Sequence, residues 1–103
     1  VRRVILESPY AGEVYKNKVY AYACMSDCLY RNESPIASHL LYTQFLNDNI
    51  RKERELGIEA GLAWTDVADA TVVYYDRGIS KGMKKGIRRA SMNNIVEFRS
   101  IYE

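Results

Sequence analysis

The sequence holds one histidine, two cysteines, two prolines and two phenylalanines in 103 residues, and each scarcity excludes something. Two thiols and a single imidazole are too few for a closed metal site, so no metal is expected. Cys24 and Cys28 stand four residues apart in a stretch that reads as helix. They point the same way along one face, and they read as buried, reduced thiols packing as small hydrophobes. A reducing, cytoplasmic setting follows. No apolar run approaches the roughly 20 residues that a membrane-spanning helix needs, so no membrane partner is expected. Arg2-Arg3-Val4-Ile5-Leu6 is basic and then apolar, but Glu7 and Pro9 end the run too early for a signal peptide. The net charge of +2 is too small to argue for nucleic acid.

What is present is ordinary globular material, 48% apolar and 27% charged, sized for a single domain over residues 1–103. A domain this small buries only about two-thirds of its unfolded surface. The nine tyrosines supply amphipathic contact surface, and a homo-oligomer is expected.

Val4-Ile5-Leu6 is a short continuous apolar run stopped by Ser8-Pro9-Tyr10-Ala11-Gly12, the mark of a strand buried on both faces. A helix is expected from about Val14 to Arg31, with Ala21, Cys24, Met25, Cys28 and Leu29 in one stripe. Pro35 to Ser38 reads as a brief strand, in which Pro35 is tolerable only at the start or on an edge. His39 to Asn49 is ambiguous between a helical turn and a packed loop. A further helix runs from Asn49 to about Trp64, capped by Asp48 or Asn49. Gly57 and Gly61 weaken it, and close approach of another backbone is the expected reason. Ala70 to Tyr75 is the clearest strand. Ser80 then caps a helix with Met83, Ile87 and Ala90 on one side, and Ile95 to Phe98 forms the last strand.

Strands alternating with helices predict a small α/β, flavodoxin- or Rossmann-like three-layer domain with a four-stranded parallel sheet in the order 2-1-3-4. Ligands of such sheets bind beyond the carboxyl ends of the strands, at the topological switch. Two loops meet there, Ser8–Glu13 and Asp76–Gly82. In the first, Ser8 offers a hydroxyl, Tyr10 a face for stacking and Gly12 a tight turn, with Pro9 and Ala11 completing it. In the second, Asp76, Gly78, Ser80, Gly82 and Met83 surround a helix start whose free N–H groups attract anions. Lys84 to Arg89 read mainly as a solvated basic face. This is not a Walker loop, and no cofactor is expected. His39 follows the second strand and can reach the same rim. Among the carboxylates, Glu7 and Asp76 end adjacent strands and could approach each other, and Glu59 between Gly57 and Gly61 is a third candidate for acid–base work.

Glu-Ser-Pro-Tyr-Ala-Gly at 7–12 and Asp-Arg-Gly-Ile-Ser-Lys-Gly-Met at 76–83 together resemble the nucleoside 2-deoxyribosyltransferase-like superfamily, in particular small relatives found in phage and bacterial genomes. The likeness covers nearly the whole chain, including Pro-Ile-Ala-Ser-His at 35–39 and Arg54 to Gly61. It implies a flavodoxin-like fold, a nucleoside-type ligand and an oligomer whose neighbour helps close the site. In the transferases a glutamate about one and a half turns into the helix after the central strand attacks the sugar C1′. That register falls on Gly86, beside Lys85, and neither is a carboxylate. The resemblance therefore implies binding of a nucleotide-like small molecule rather than transfer. In a phage, acting in the host cytoplasm, the role would be to sequester an ADP-ribose-type immune signal as an anti-defence protein. The alternatives are an N-glycosidic-bond hydrolase or deoxyribosyltransferase relying on Glu7, Asp76 or Glu59, and a protein-interaction module using Tyr15, Tyr20, Tyr22 and Tyr30.

Overall fold

A computed structural model describes residues 1–102. Its four strands, β1 (Arg2–Glu7), β2 (Glu33–Ile36), β3 (Ala70–Tyr74) and β4 (Ile95–Arg99), form one sheet in the order β2-β1-β3-β4. Every pairing is parallel, with Val4 opposite Pro35 and Ala70, and Ala70 opposite Ile95. The expected architecture is the observed one. β2 begins at Glu33, earlier than its sequence suggests, and Pro35 is accommodated because β2 is an edge.

Helices cover both faces, as the continuous apolar character of β1 and β3 requires. α1 (Val14–Tyr30) packs on one face, where Tyr20, Cys24 and Cys28 meet Val4, Leu6, Val72 and Tyr74 in the main core. Both cysteines are free and buried, and burial pushes the Cys24 thiol up to about 12, so it packs as an inert apolar group. Two tyrosines stitch this layer together in opposite directions. Tyr20 of α1 donates to Asp76 beyond β3 (2.7 Å), and Tyr74 of β3 donates to Asp27 of α1 (2.6 Å).

The same face carries a buried ion pair. Arg99 of β4 donates two parallel hydrogen bonds to Glu33 of β2, at 2.8 and 2.7 Å, and a third to Glu97 at 2.9 Å. Tyr74 and Arg2 complete the cluster, which ties both edge strands of the sheet together.

The ambiguous stretch after β2 resolves into a short helix α2 (Ser38–Leu41) and one 3-10 turn (Tyr42–Gln44). α3 (Arg51–Ala63) follows, but neither Asp48 nor Asn49 caps it. Instead Glu53 in the first turn reaches back to accept the Asn47 N–H (2.9 Å), which satisfies a donor just upstream. α4 (Lys81–Asn93) starts as expected, with the Ser80 hydroxyl accepting the Met83 N–H (3.2 Å). It buries Met83 and Ala90 against the second face of the sheet, while Ile87 is only half-buried.

Candidate functional site

The right-handed crossovers carry α1 to one face and α3 and α4 to the other, so the connections leaving β1 and β3 part company at the carboxyl edge. A cavity of about 350 Å³ opens there, within the range of small-molecule sites. β1 and its loop contribute Glu7, Ser8, Tyr10 and Ala11, α2 contributes Ser38 and His39, and the start of α4 contributes Ser80, Gly82, Met83 and Gly86. The far wall comes from the segment whose sequence is least regular: Tyr42, Thr43, Leu46 and Asp48, then Glu53, Arg54, Gly57, Ile58, Gly61 and Leu62 of α3.

Seven of the eleven expected ligand-contacting residues line this cavity: Ser8, Tyr10, Ala11, His39, Ser80, Gly82 and Met83. The other four do not, each for a physical reason. Pro9 is buried in the turn. Gly12 and Gly78 hold φ of 92° and 88° with open space around them, so their role is to turn the backbone. Asp76 is committed to structure: it accepts from Tyr20, Ser100 and the Ile101 N–H. Burial alone would raise its pKa, but these donors outweigh it and hold the carboxyl below its usual range. Asp76 therefore does not join Glu7 at the cavity. Glu59 is exposed and outside it.

Glu7 is the carboxylate the cavity does receive. It ends β1, side by side with the wholly apolar Val73 of β3, and projects toward α4. Among the described residues no hydrogen-bond donor or cation partners it, and burial pushes its pKa up to about 8. Gly86 makes room for it: a Cβ there would lie 2.6 Å from the Glu7 carboxyl carbon, far inside contact distance.

His39 sits at the adjoining corner. Its Nε2 is 2.8 Å from the Ser8 hydroxyl, and its ring meets Tyr10 edge to face at 6.4 Å. Burial lowers its pKa to about 4, so at neutral pH it is an uncharged imidazole sharing one proton position with Ser8.

The mouth is basic. Arg54, Lys81 and Lys85 line it, and among the described residues none has a carboxylate within 4 Å. Asp48 and Glu53 are the opposing charges. The Lys81 and Gly82 N–H groups, at the first turn of α4, have no acceptor among the described residues, as the geometry of a helix start dictates. Lys84, Lys85 and Arg88 are exposed, as a solvated basic face requires, and Lys85 also borders the cavity; Arg89 faces Asp66 at 3.7 Å.

Two features were missed by sequence reasoning. Asn17 of α1 is buried and joins both loops: its amide donates to the Tyr10 and Ala11 carbonyls (3.1 Å each), and its oxygen accepts from Arg77 (2.8 Å). An asparagine inside a helix signals nothing by type, so only the fold exposes its role. Gly61 lets α3 close on α2, where a Cβ would come within 2.5 Å of the Ser38 hydroxyl; the neighbour is a side chain, not the backbone expected. Gly57 makes only ordinary contacts with Leu46 and Tyr42.

The fold and this cavity define a small parallel α/β domain whose site lies at the topological switch of the sheet. Within that class the chain belongs to a family described as a domain of unknown function (DUF7768), whose model matches residues 2–99. No curated protein and no solved structure matches it.

Proposed function

We propose that the cavity binds a nucleotide- or nucleoside-derived small molecule. The observation that carries this reading is the juxtaposition, in one cavity, of an anion-attracting end and a neutral polar end. At the first, the bare N–H groups of α4 stand beside Arg54, Lys81 and Lys85. At the second, Tyr10 and Tyr42 offer rings, while Glu7, Ser8 and His39 offer uncharged hydrogen-bonding groups. Phosphate suits the former, and sugar hydroxyls with a flat base suit the latter.

The finer form of the proposal is sequestration of an ADP-ribose-type immune signal, were the chain encoded by a phage and acting in a reducing cytoplasm. The exposed Tyr15, Tyr22 and Tyr30 of α1 would serve a homo-oligomer, whereas Tyr20 belongs to the core. Cleavage at an N-glycosidic bond is the second reading, and the unpartnered Glu7 is what favours it.

Mass spectrometry of small molecules released from the purified protein, with thermal-shift screening across nucleotides and ADP-ribose derivatives, tests both. Binding with the ligand recovered intact supports the first reading. Free base in the released material supports the second, and no stabilisation by any phosphate-bearing nucleoside sinks both.

A further inference from the structure

Glu7 and Gly86 lie on different elements, yet each makes sense only with the other. A half-buried carboxyl group at a strand end normally finds a donor or a cation. Glu7 has neither among the described residues, and it sits in space that any other residue at 86 would occupy. The charged and titratable groups around the cavity are His39 of α2, Glu53 and Arg54 of α3, Lys81 and Lys85 of α4, Asp48, and the phenols of Tyr10 and Tyr42. None lies within hydrogen-bonding or ion-pairing distance of the Glu7 carboxyl, whose raised pKa has burial as its sole cause. Gly86 is four residues along α4 from Gly82, about 6 Å down the helix axis. That distance is comparable with the span of one pentose.

We infer that Glu7 recognises the sugar of the bound ligand: its carboxyl, delivered from β1 into a seat kept open by Gly86, contacts a ribose-type hydroxyl while the first turn of α4 and Lys81 hold the phosphate. The inference rests on the nucleotide-binding reading and assigns the sugar subsite within it. A carboxyl group can both donate to and accept from a hydroxyl, and the neutral form does so without repelling the phosphate one turn away.

The test is calorimetry of the full chain at pH 7 with inorganic phosphate, ribose 5-phosphate and adenosine 5′-monophosphate. The wild type is expected to bind both sugar phosphates more tightly than phosphate. Glu7→Ala is expected to weaken the sugar phosphates about tenfold, the scale of a lost buried hydrogen bond, and to leave phosphate unchanged. Glu7→Gln keeps a donor and an acceptor and retains the affinity. Between pH 7 and 9 the wild type loses its preference for sugar phosphates as Glu7 ionises, and Glu7→Gln does not. Gly86→Ala, which places a methyl in the seat, reproduces Glu7→Ala in the wild type and has no added effect on ligand affinity in the Glu7→Ala background. Thermal melts of every variant establish that each is folded. Sugar-phosphate binding that is indifferent to Glu7→Ala overturns the inference and leaves the nucleotide reading standing. Failure of the wild type to bind any of the three probes overturns both.

Discussion

The carboxyl group of Glu7 fills the space in which a side chain on Gly86 would lie, so the end of β1 and the middle of α4 share one position in the cavity. That arrangement couples the protonation of one residue to the stability of the whole domain. In the unfolded chain Glu7 ionises near 4.5, and in the folded chain it keeps its proton to about 8. Its contribution is therefore complete below pH 4.5 and is lost as pH rises to 8. His39 has the opposite sense: its pKa falls from 6.5 to about 4, so its contribution is complete above 6.5 and is lost as pH falls toward 4. The two slopes oppose each other between 4.5 and 6.5, and above 6.5 only Glu7 acts. Urea denaturation at pH 5, 6.5 and 8 should show little change over the first interval and a decline over the second. Glu7→Gln should abolish the decline and be more stable than the wild type at pH 8 by about 2 kcal/mol, a figure reduced for partial exposure to solvent.

Asn17 lies outside the cavity but governs its loops. Replacing it with alanine removes the donor to the Tyr10 and Ala11 carbonyls and leaves Arg77 with Glu13, 3.8 Å away. A loss of about 1 kcal/mol is expected, because Asn17 is buried but the two carbonyls, on half-buried Tyr10 and exposed Ala11, can turn to water. Affinity for adenosine 5′-monophosphate should fall several-fold as well, because Asn17, which does not itself line the pocket, holds Tyr10 and Ala11, which do. Equal affinity in the two proteins would show that the loops hold their positions without it.

The parallel sheet, its strand order and the cap at Ser80 were legible because they depend on local signals: short β-branched runs, turn residues and a serine before a helical stripe. The cavity was only half legible. Its near wall follows from strand ends, which the sheet order locates. Its far wall comes from 42–62, where apolar residues keep no clear period and α3 starts without a side-chain cap. Asp76 illustrates the limit most plainly. Its position beyond a central strand suits chemistry, but Tyr20 and Ser100, 56 and 24 residues away in sequence, have claimed its oxygens.

The Arg99–Glu33 pair joins the two edge strands, and both side chains are almost wholly buried, 7% and 6% exposed. Removing one partner leaves the other charge without its bidentate match. Arg99→Met is expected to cost about 3 kcal/mol, lowering the melting temperature by about 15 °C for a domain of this size. Arg99→Lys should recover only part of the loss, because an ammonium cannot form the two parallel bonds. A melting curve unchanged by Arg99→Met would show that sheet closure does not rest on this pair.

Thr71, the second residue of β3, has a buried hydroxyl with no partner among the described residues. Valine has the same shape and nothing to satisfy. Thr71→Val should raise stability by about 1 kcal/mol, seen as a higher urea midpoint with an unchanged slope. A lower midpoint would mean that the hydroxyl has a role in the fold after all.

The far wall of the cavity has one further property. Neither α2 nor α3 contains a fully buried residue, whereas every residue of β3 is buried. Opening that wall exposes little apolar surface, so its free energy lies well below that of global unfolding. Amide exchange along 51–63 should be faster than along 70–74 and should slow when adenosine 5′-monophosphate is bound. The domain then has two thermal regimes. The half that fixes the sheet and Glu7 is held by the core, and the other half is the part that a bound nucleotide would steady most.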